Sequence, residues 1–169
     1  MRLLTWSNRV FMANRVRLSL ALITFVAILG FSVGGTQGTS SRQRLTPKEI
    51  DVLEHTGAGA GTSGVAGIQT RVLKGDPTLP GLYTIQLRVP ANTRIEAHDH
   101  PDDRGATVVS GTWHFGYGAR FDEKELKALP PGSFYTEPPG VAHFARTGDE
   151  PVILQISGYG PTGTTYTAR

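Results

Sequence analysis

The chain contains no cysteine. Disulfides, thiolate metal ligands and lipid-modified cysteine are all excluded at once, so the fold has to rest on its core, with or without a bound metal. Long apolar stretches are nearly missing too. Residues 18–33 form a run of sixteen that is interrupted by Ser19, Thr24 and Ser32, short of the roughly 20 residues a membrane-spanning helix needs. Acidic residues are absent from the first 44 positions, which instead carry Arg2, Arg9, Arg15, Arg17, Arg42 and Arg44. The formal charge of +3 therefore misleads: setting those six aside leaves eleven basic against fourteen acidic residues. A net-acidic remainder offers no compositional footing for nucleic-acid binding.

Four arginines, an apolar run and then small residues from Gly34 to Ser41 make the order of a secretory signal. Residues 1–38 are therefore expected to be a signal peptide, with an uncleaved N-terminal membrane anchor as the alternative. No Ala-x-Ala fixes the cleavage site, and Met12 offers a second start with a sufficient basic region behind it. The rest is expected to be periplasmic or secreted. A chain of 169 residues supports one domain of ordinary size. Beyond the signal we expect a linker with a short helix (39–65), a β domain (66–162) and a tail (163–169). The short helix is read from Thr46-Pro47-Lys48-Glu49, which supplies a capping hydroxyl, proline at the first helical position and the glutamate of a capping box.

From Ile68 onward the pattern turns to short strands. Tyr83, Ile85, Leu87 and Val89 alternate with Thr84, Gln86 and Arg88, the period of a strand with one buried face. Similar runs at 94–100, 106–110, 112–117, 133–136, 142–146 and 151–157 are separated by glycine- and proline-rich breaks, the signature of a sandwich or barrel. Residues 122–129 interrupt them. Asp122 as a cap, with Leu126 and Leu129 three apart, reads as a second short helix on the surface.

His98 and His100 lie two apart on a predicted strand and so share a face. His143 follows Pro138-Pro139-Gly140, a rigid turn leading into another strand. Three imidazoles suit Zn, Cu, Fe or Ni, and a three-histidine set leaves coordination positions open for chemistry. The alternative is a trio of half-buried histidines paired with Asp99 or with backbone. His55 and His114 are not expected to join them. Trp113, Phe115, Tyr117, Phe134, Tyr135 and Phe144 line a pocket or simply fill the core.

In order and spacing these residues resemble the two motifs of the cupin superfamily. The first runs from Asn92 through His98, His100 and Arg104 to Gly111; the second runs from Gly132 through Pro138, Gly140 and His143 to Thr147. The resemblance implies an all-β cupin double-stranded β-helix, a jelly-roll barrel with one or two short peripheral helices. It also implies a divalent metal (Fe, Mn, Zn or Ni) on His98, His100 and His143, a small-molecule ligand, and pairing into a homodimer through edge strands. Cupins include dioxygenases, isomerases and decarboxylases, so the likeness selects no reaction. A metal-dependent oxygenase or isomerase and a non-catalytic envelope protein that binds a metal or small ligand both remain open.

Three positions depart from the motifs. Asn92 replaces glycine and Thr147 replaces asparagine. Arg104 stands where the family has its metal-binding glutamate, and a guanidinium cannot ligate a cation. A replacement carboxylate is expected from Glu137, as ligand or catalytic base, or from Asp102 or Asp103. Arg104 either pairs with one of these acids or binds the carboxylate or phosphate of a ligand. Tyr135 and Gln155 are further candidates for hydrogen bonding to a ligand.

Overall fold

The computed structural model describes residues 42–167, so the expected signal peptide lies outside the described residues. Among the described residues no helix is long and apolar enough to cross a membrane. The short helix α1, Pro47–Asp51, forms as its capping box dictates: the Thr46 hydroxyl accepts from the Glu49 N–H, and the Glu49 carboxylate accepts from the Thr46 N–H. It buries no residue, so it rests on its cap rather than on packing.

Among the described residues ten strands succeed it: β1 Gln69–Lys74, β2 Gly81–Val89, β3 Arg94–Asp99, β4 Arg104–Ser110, β5 Trp113–Tyr117, β6 Lys127–Leu129, β7 Phe134–Glu137, β8 His143–Thr147, β9 Val152–Gly160 and β10 Thr165–Tyr166. They form two antiparallel five-stranded sheets, ordered β1-β2-β9-β4-β7 and β10-β3-β8-β5-β6. One continuous core draws on both sheets: Tyr83, Ile85, Leu87 and Val89 from β2, Val152, Leu154 and Ile156 from β9, and Ile95, Trp113 and Phe115 from the other side. The alternation in β2 is thus the buried stripe the sequence implies, and each large aliphatic side chain it buries contributes about 1.5–3 kcal/mol.

Residues 122–129 are not a helix. Asp122 does cap, its carboxylate accepting from the Lys124 N–H, but only a 3₁₀ turn, Glu123–Glu125, comes after it. The chain then becomes β6, an edge strand with Leu129 opposite Trp113 on β5. Leu129 enters the core while Lys127 and Ala128 stay outside. Sheet pairing along β5 has overridden a weak three-residue leucine spacing.

Asn92 and Thr147, the other two departures from the motifs, fit locally. Asn92 takes φ +54°, the left-handed conformation asparagine tolerates better than other non-glycine residues. Thr147 is buried; its hydroxyl donates to the Pro90 carbonyl and accepts from the Thr93 N–H. That pair of bonds ties the end of β8 to the turn that opens β3.

Candidate metal centre

His98, His100 and His143 come together inside the barrel. One ring nitrogen from each lies within 4.8 Å of those of the other two, and the ring centroids are 4.5 to 5.2 Å apart. All three are buried. The β3 backbone reaches this arrangement through a register shift against β8 between Ile95 and His98. Ile95, His98 and His100 all line the interior, which strict alternation forbids; the bulge re-aims the last two side chains. His143 is placed by the Pro138-Pro139-Gly140 turn. Gly140 sits at φ +68°, and its N–H donates to the His100 carbonyl at 2.9 Å, tying the second motif's turn to the first motif's strand.

Each histidine uses its Nδ1 in the same way. Nδ1 lies 2.8 Å from the Glu96 carbonyl in His98, 2.5 Å from the Gly163 carbonyl in His100, and 3.0 Å from the Val141 carbonyl in His143. A carbonyl only accepts, so every Nδ1 carries a proton and donates. Burial, helped by His143, holds the His98 imidazole down to about 4, and burial with the nearby Arg104 charge holds His100 at about 3. Both are neutral at pH 7, and their Nε2 atoms therefore present lone pairs. The Nε2 atoms of His100 and His143 are buried with no hydrogen-bond partner. Unpaired buried acceptors are costly, and inward Nε2 donors whose Nδ1–H is held by backbone are what a divalent metal requires. The donor set fits such an ion.

Arg104 and Glu137 face each other across the β4–β7 ladder, and both are buried. Arg104 donates to Glu137 Oε2 through Nε at 2.7 Å and through Nη2, and to the Gly61 carbonyl through Nη1 at 2.9 Å. Glu137 lies 3.8 Å from His100 Nε2 through Oε2 and 3.8 Å from His143 Nε2 through Oε1. A carboxylate therefore does stand beside the histidines, delivered from β7 rather than from β4. Burial works to raise the Glu137 carboxyl, but the Arg104 charge, the two neighbouring histidines and the hydrogen bond from Arg104 together outweigh it and hold the group below the ordinary carboxylate range. Burial likewise opposes the Arg104 charge, and Glu137, Tyr83 and Asp102 together reverse that effect.

The other candidates divide. Tyr135 lines the same interior with Trp113 and Phe115, and burial pushes its hydroxyl well above its usual range. Gln155 is exposed on the outer face of β9, between the inward Leu154 and Ile156; the strand's period of two turns it away from the site. Asp102 is buried and accepts the Tyr83 hydroxyl at 2.6 Å, whereas Asp103 is exposed. Phe134 and Tyr117 are exposed and Phe144 packs against Phe121, so these three do not line the cavity.

Two segments with no sequence signal for this role close the site. Gly61, Thr62 and Ser63 are buried and line it. The tail crosses them: Thr164 Oγ1 donates to the Thr62 carbonyl, the Tyr166 hydroxyl donates to the Ser63 carbonyl, and β10 pairs with β3 at Asp99 and His98. The pocket they border measures about 30 Å³. Glycine, serine and threonine dominate both segments, a composition that reads as loop until their contacts are known.

Architecture and site together define a cupin fold, and comparison with solved structures agrees. An RmlC-like cupin from Shewanella frigidimarina shares 18% sequence identity at a TM-score of 0.50, over 77% of this chain and 95% of that one. A salicylate 1,2-dioxygenase variant from Pseudoaminobacter salicylatoxidans, in complex with gentisate, shares 15% identity at a TM-score of 0.51, over 62% of this chain and 30% of that one. At such identities the likeness establishes the fold alone. No protein-family model matches the sequence, and no curated protein does.

Proposed function

We propose that this chain is an exported cupin that holds one divalent metal through His98, His100 and His143 and uses it to bind and act on a small oxygen-bearing molecule. The observation that carries this reading is the uniform placement of the three Nδ1–H groups on backbone carbonyls, which turns the remaining ring nitrogens inward as ligands. Export rests on the arginine-flanked apolar run of the N-terminal segment. When bound, the metal supplies Lewis acidity to an oxygen atom.

The protein's own groups do the rest. Glu137 offers Oε1, the oxygen Arg104 does not engage, as a further ligand or as a proton acceptor. Arg104 keeps that carboxylate ionised and fixed. Trp113, Phe115, Tyr135 and the aliphatic wall exclude bulk water and leave the charged groups in a medium where their fields are strong. A non-catalytic binder is the second reading, favoured by the small pocket and by a Glu137 already committed on one side to Arg104.

The test is elemental analysis by mass spectrometry on the chain purified without a histidine tag, beside His98→Ala and His143→Ala. Close to one equivalent of metal, lost in both variants, is expected. An iron or manganese ion directs the search to oxidation, and zinc to hydrolysis, isomerisation or binding. A wild-type chain that stays metal-free after reloading would sink the proposal.

A further inference from the structure

Each sheet has an outer face as well as the one that packs the core, and the two are finished differently. Outside the β10-β3-β8-β5-β6 sheet, Phe144 is fully buried and its ring packs on Phe121 at 5.1 Å between centroids. The connection between β5 and β6 therefore covers that face. On the other sheet, cover reaches only the β1 end, where Arg71 Nη2 donates to the Asp51 carbonyl at 3.0 Å and its cross-strand neighbour Gln86 is buried. Gln155, Tyr159, Thr107, Phe134 and Thr136 are all exposed, so among the described residues β9, β4 and β7 are bare on that side.

The bare face carries almost no charge. The charged residues of β4 and β7, Arg104 and Glu137, are buried, and β9 has none. Arg88 on β2, opposite Ile153, stands at the rim. Leu82 and Tyr159 face each other across the β2–β9 ladder, 53% and 67% exposed. Phe134 is 65% exposed, and the edge of its ring rests over Gly105, where a Cβ would meet it at 3.1 Å. Between these apolar groups Thr84 and Ser157 share a hydrogen bond of 2.9 Å, and Gln155 pairs with Thr107. Aromatic rings around uncharged amides and hydroxyls have the composition of an interface centre, where charges are depleted.

Charge also decides the partner. A two-fold pairing sets a patch against its own copy, so any charge in it meets its like. An uncharged face escapes that cost, and it holds nothing that would select an oppositely charged foreign surface. The sheet edges offer a poorer template. Thr56 bridges to Thr70 along β1, the Tyr117 hydroxyl occupies the Thr136 carbonyl of β7, and β6 and β10 are three and two residues long. Covered and short edges resist strand addition, so the edge-strand pairing that the family resemblance implies finds little to build on here.

The bare face covers four strands by about seven residues, roughly 20 Å each way. Two faces of that plan bury on the order of 1,000 Å² together, the low end of specific interfaces, so half-dissociation at micromolar concentration is expected.

We infer that the β2-β9-β4-β7 face pairs two copies of this chain about a two-fold axis, sheet on sheet, with Gln155 near its centre. The pairing does not depend on the metal, since the histidines lie inside the barrel and the contact lies outside it.

Sedimentation velocity on the full chain over about 1–300 µM is expected to show a monomer passing reversibly into a dimer. Gln155→Glu and Gln155→Lys are each expected to stay monomeric across that range while melting at the wild-type temperature, and an equimolar mixture of the two is expected to dimerise again. Tyr159→Ala is expected to weaken the dimer by about tenfold or more, as loss of an aromatic anchor does.

A wild-type chain that is monomeric throughout would overturn the inference; if it is also retained on an insoluble neutral polysaccharide such as cellulose, the face belongs to a glycan instead. Dimers that ignore both Gln155 charges and Tyr159→Ala would overturn it by placing the contact elsewhere, at a sheet edge or in residues 1–41. Charge variants that are monomeric alone and remain so when mixed would overturn it too, because opposite charges at a shared two-fold contact attract.

Discussion

Arg104→Met is the substitution from which the structure predicts most. Methionine is close to the arginine stem in length, so the change removes charge and three hydrogen bonds rather than bulk. The Arg104 and Glu137 side chains are only 2% and 6% exposed, so the carboxylate left behind is poorly hydrated and Oε2 loses both of its donors. Breaking a buried pair by removing one partner costs about 3–5 kcal/mol. For a domain of this size the melting temperature should fall by roughly 10–20 °C.

The deficit should depend on pH in a defined direction. In the native chain Glu137 titrates below its ordinary value, so its contribution is complete at neutral pH and is lost as pH falls from the usual carboxylate range through that lowered value. In the variant burial, the largest influence on Glu137, is opposed only by the two histidines and raises the same group, so acid relieves the penalty. The gap between the two proteins is therefore widest at pH 7 and narrows below about pH 4.5. Thermal and urea unfolding of the metal-free proteins at pH 7 and pH 4 measure it. Adding Glu137→Leu to Arg104→Met should recover most of the loss, because an apolar pair has no unpaired charge. A single variant within about 1 kcal/mol of wild type at pH 7, or a double variant no better than the single, would refute the reasoning.

Gly158→Ala should destabilise by about 1–3 kcal/mol in chemical unfolding, because its new carbon would lie 2.6 Å from Asp102 Oδ2 and 2.7 Å from the Tyr83 hydroxyl; a neutral result would mean that this pair yields freely. The metal-free chain should lose stability as pH drops from about 6.5 toward 4, since His98 and His100, at about 4 and 3, resist protonation that the unfolded chain accepts. A stability profile flat across that window would contradict it. Deleting residues 162–169 removes the Gly163 carbonyl from His100 and should weaken metal binding about 10- to 100-fold in competition with a chromophoric chelator. Unchanged affinity would show that the tail does not orient the ligand.

The sequence exposed the parts of this molecule that obey a period. The alternation of Tyr83, Ile85, Leu87 and Val89, the i, i+2 spacing of His98 and His100, and the proline turn before His143 all carry local information that survives folding. The Thr46 capping box did as well. What stayed hidden depends on pairing between distant segments. The bulge that brings Ile95 and His98 to one side has no residue signature, and β6 was masked by a helix-like leucine spacing that only the neighbouring Trp113 strand overrides. The closing segments were invisible because their contribution is made by backbone carbonyls at Gly61, Thr62, Ser63 and Gly163, which every residue possesses. Gln155 was misplaced for a simpler reason: its parity on β9 puts it outside, between Leu154 and Ile156.

The ladder register that sets position 104 opposite position 137 also has a consequence for descent. Neither residue tolerates loss of the other, so the two are expected to change together, and a related chain with glutamate at 104 and arginine at 137 would carry the same charge pair with its order reversed. Covariation between these two columns, rather than identity at either, is the trace by which relatives sharing this site would be found.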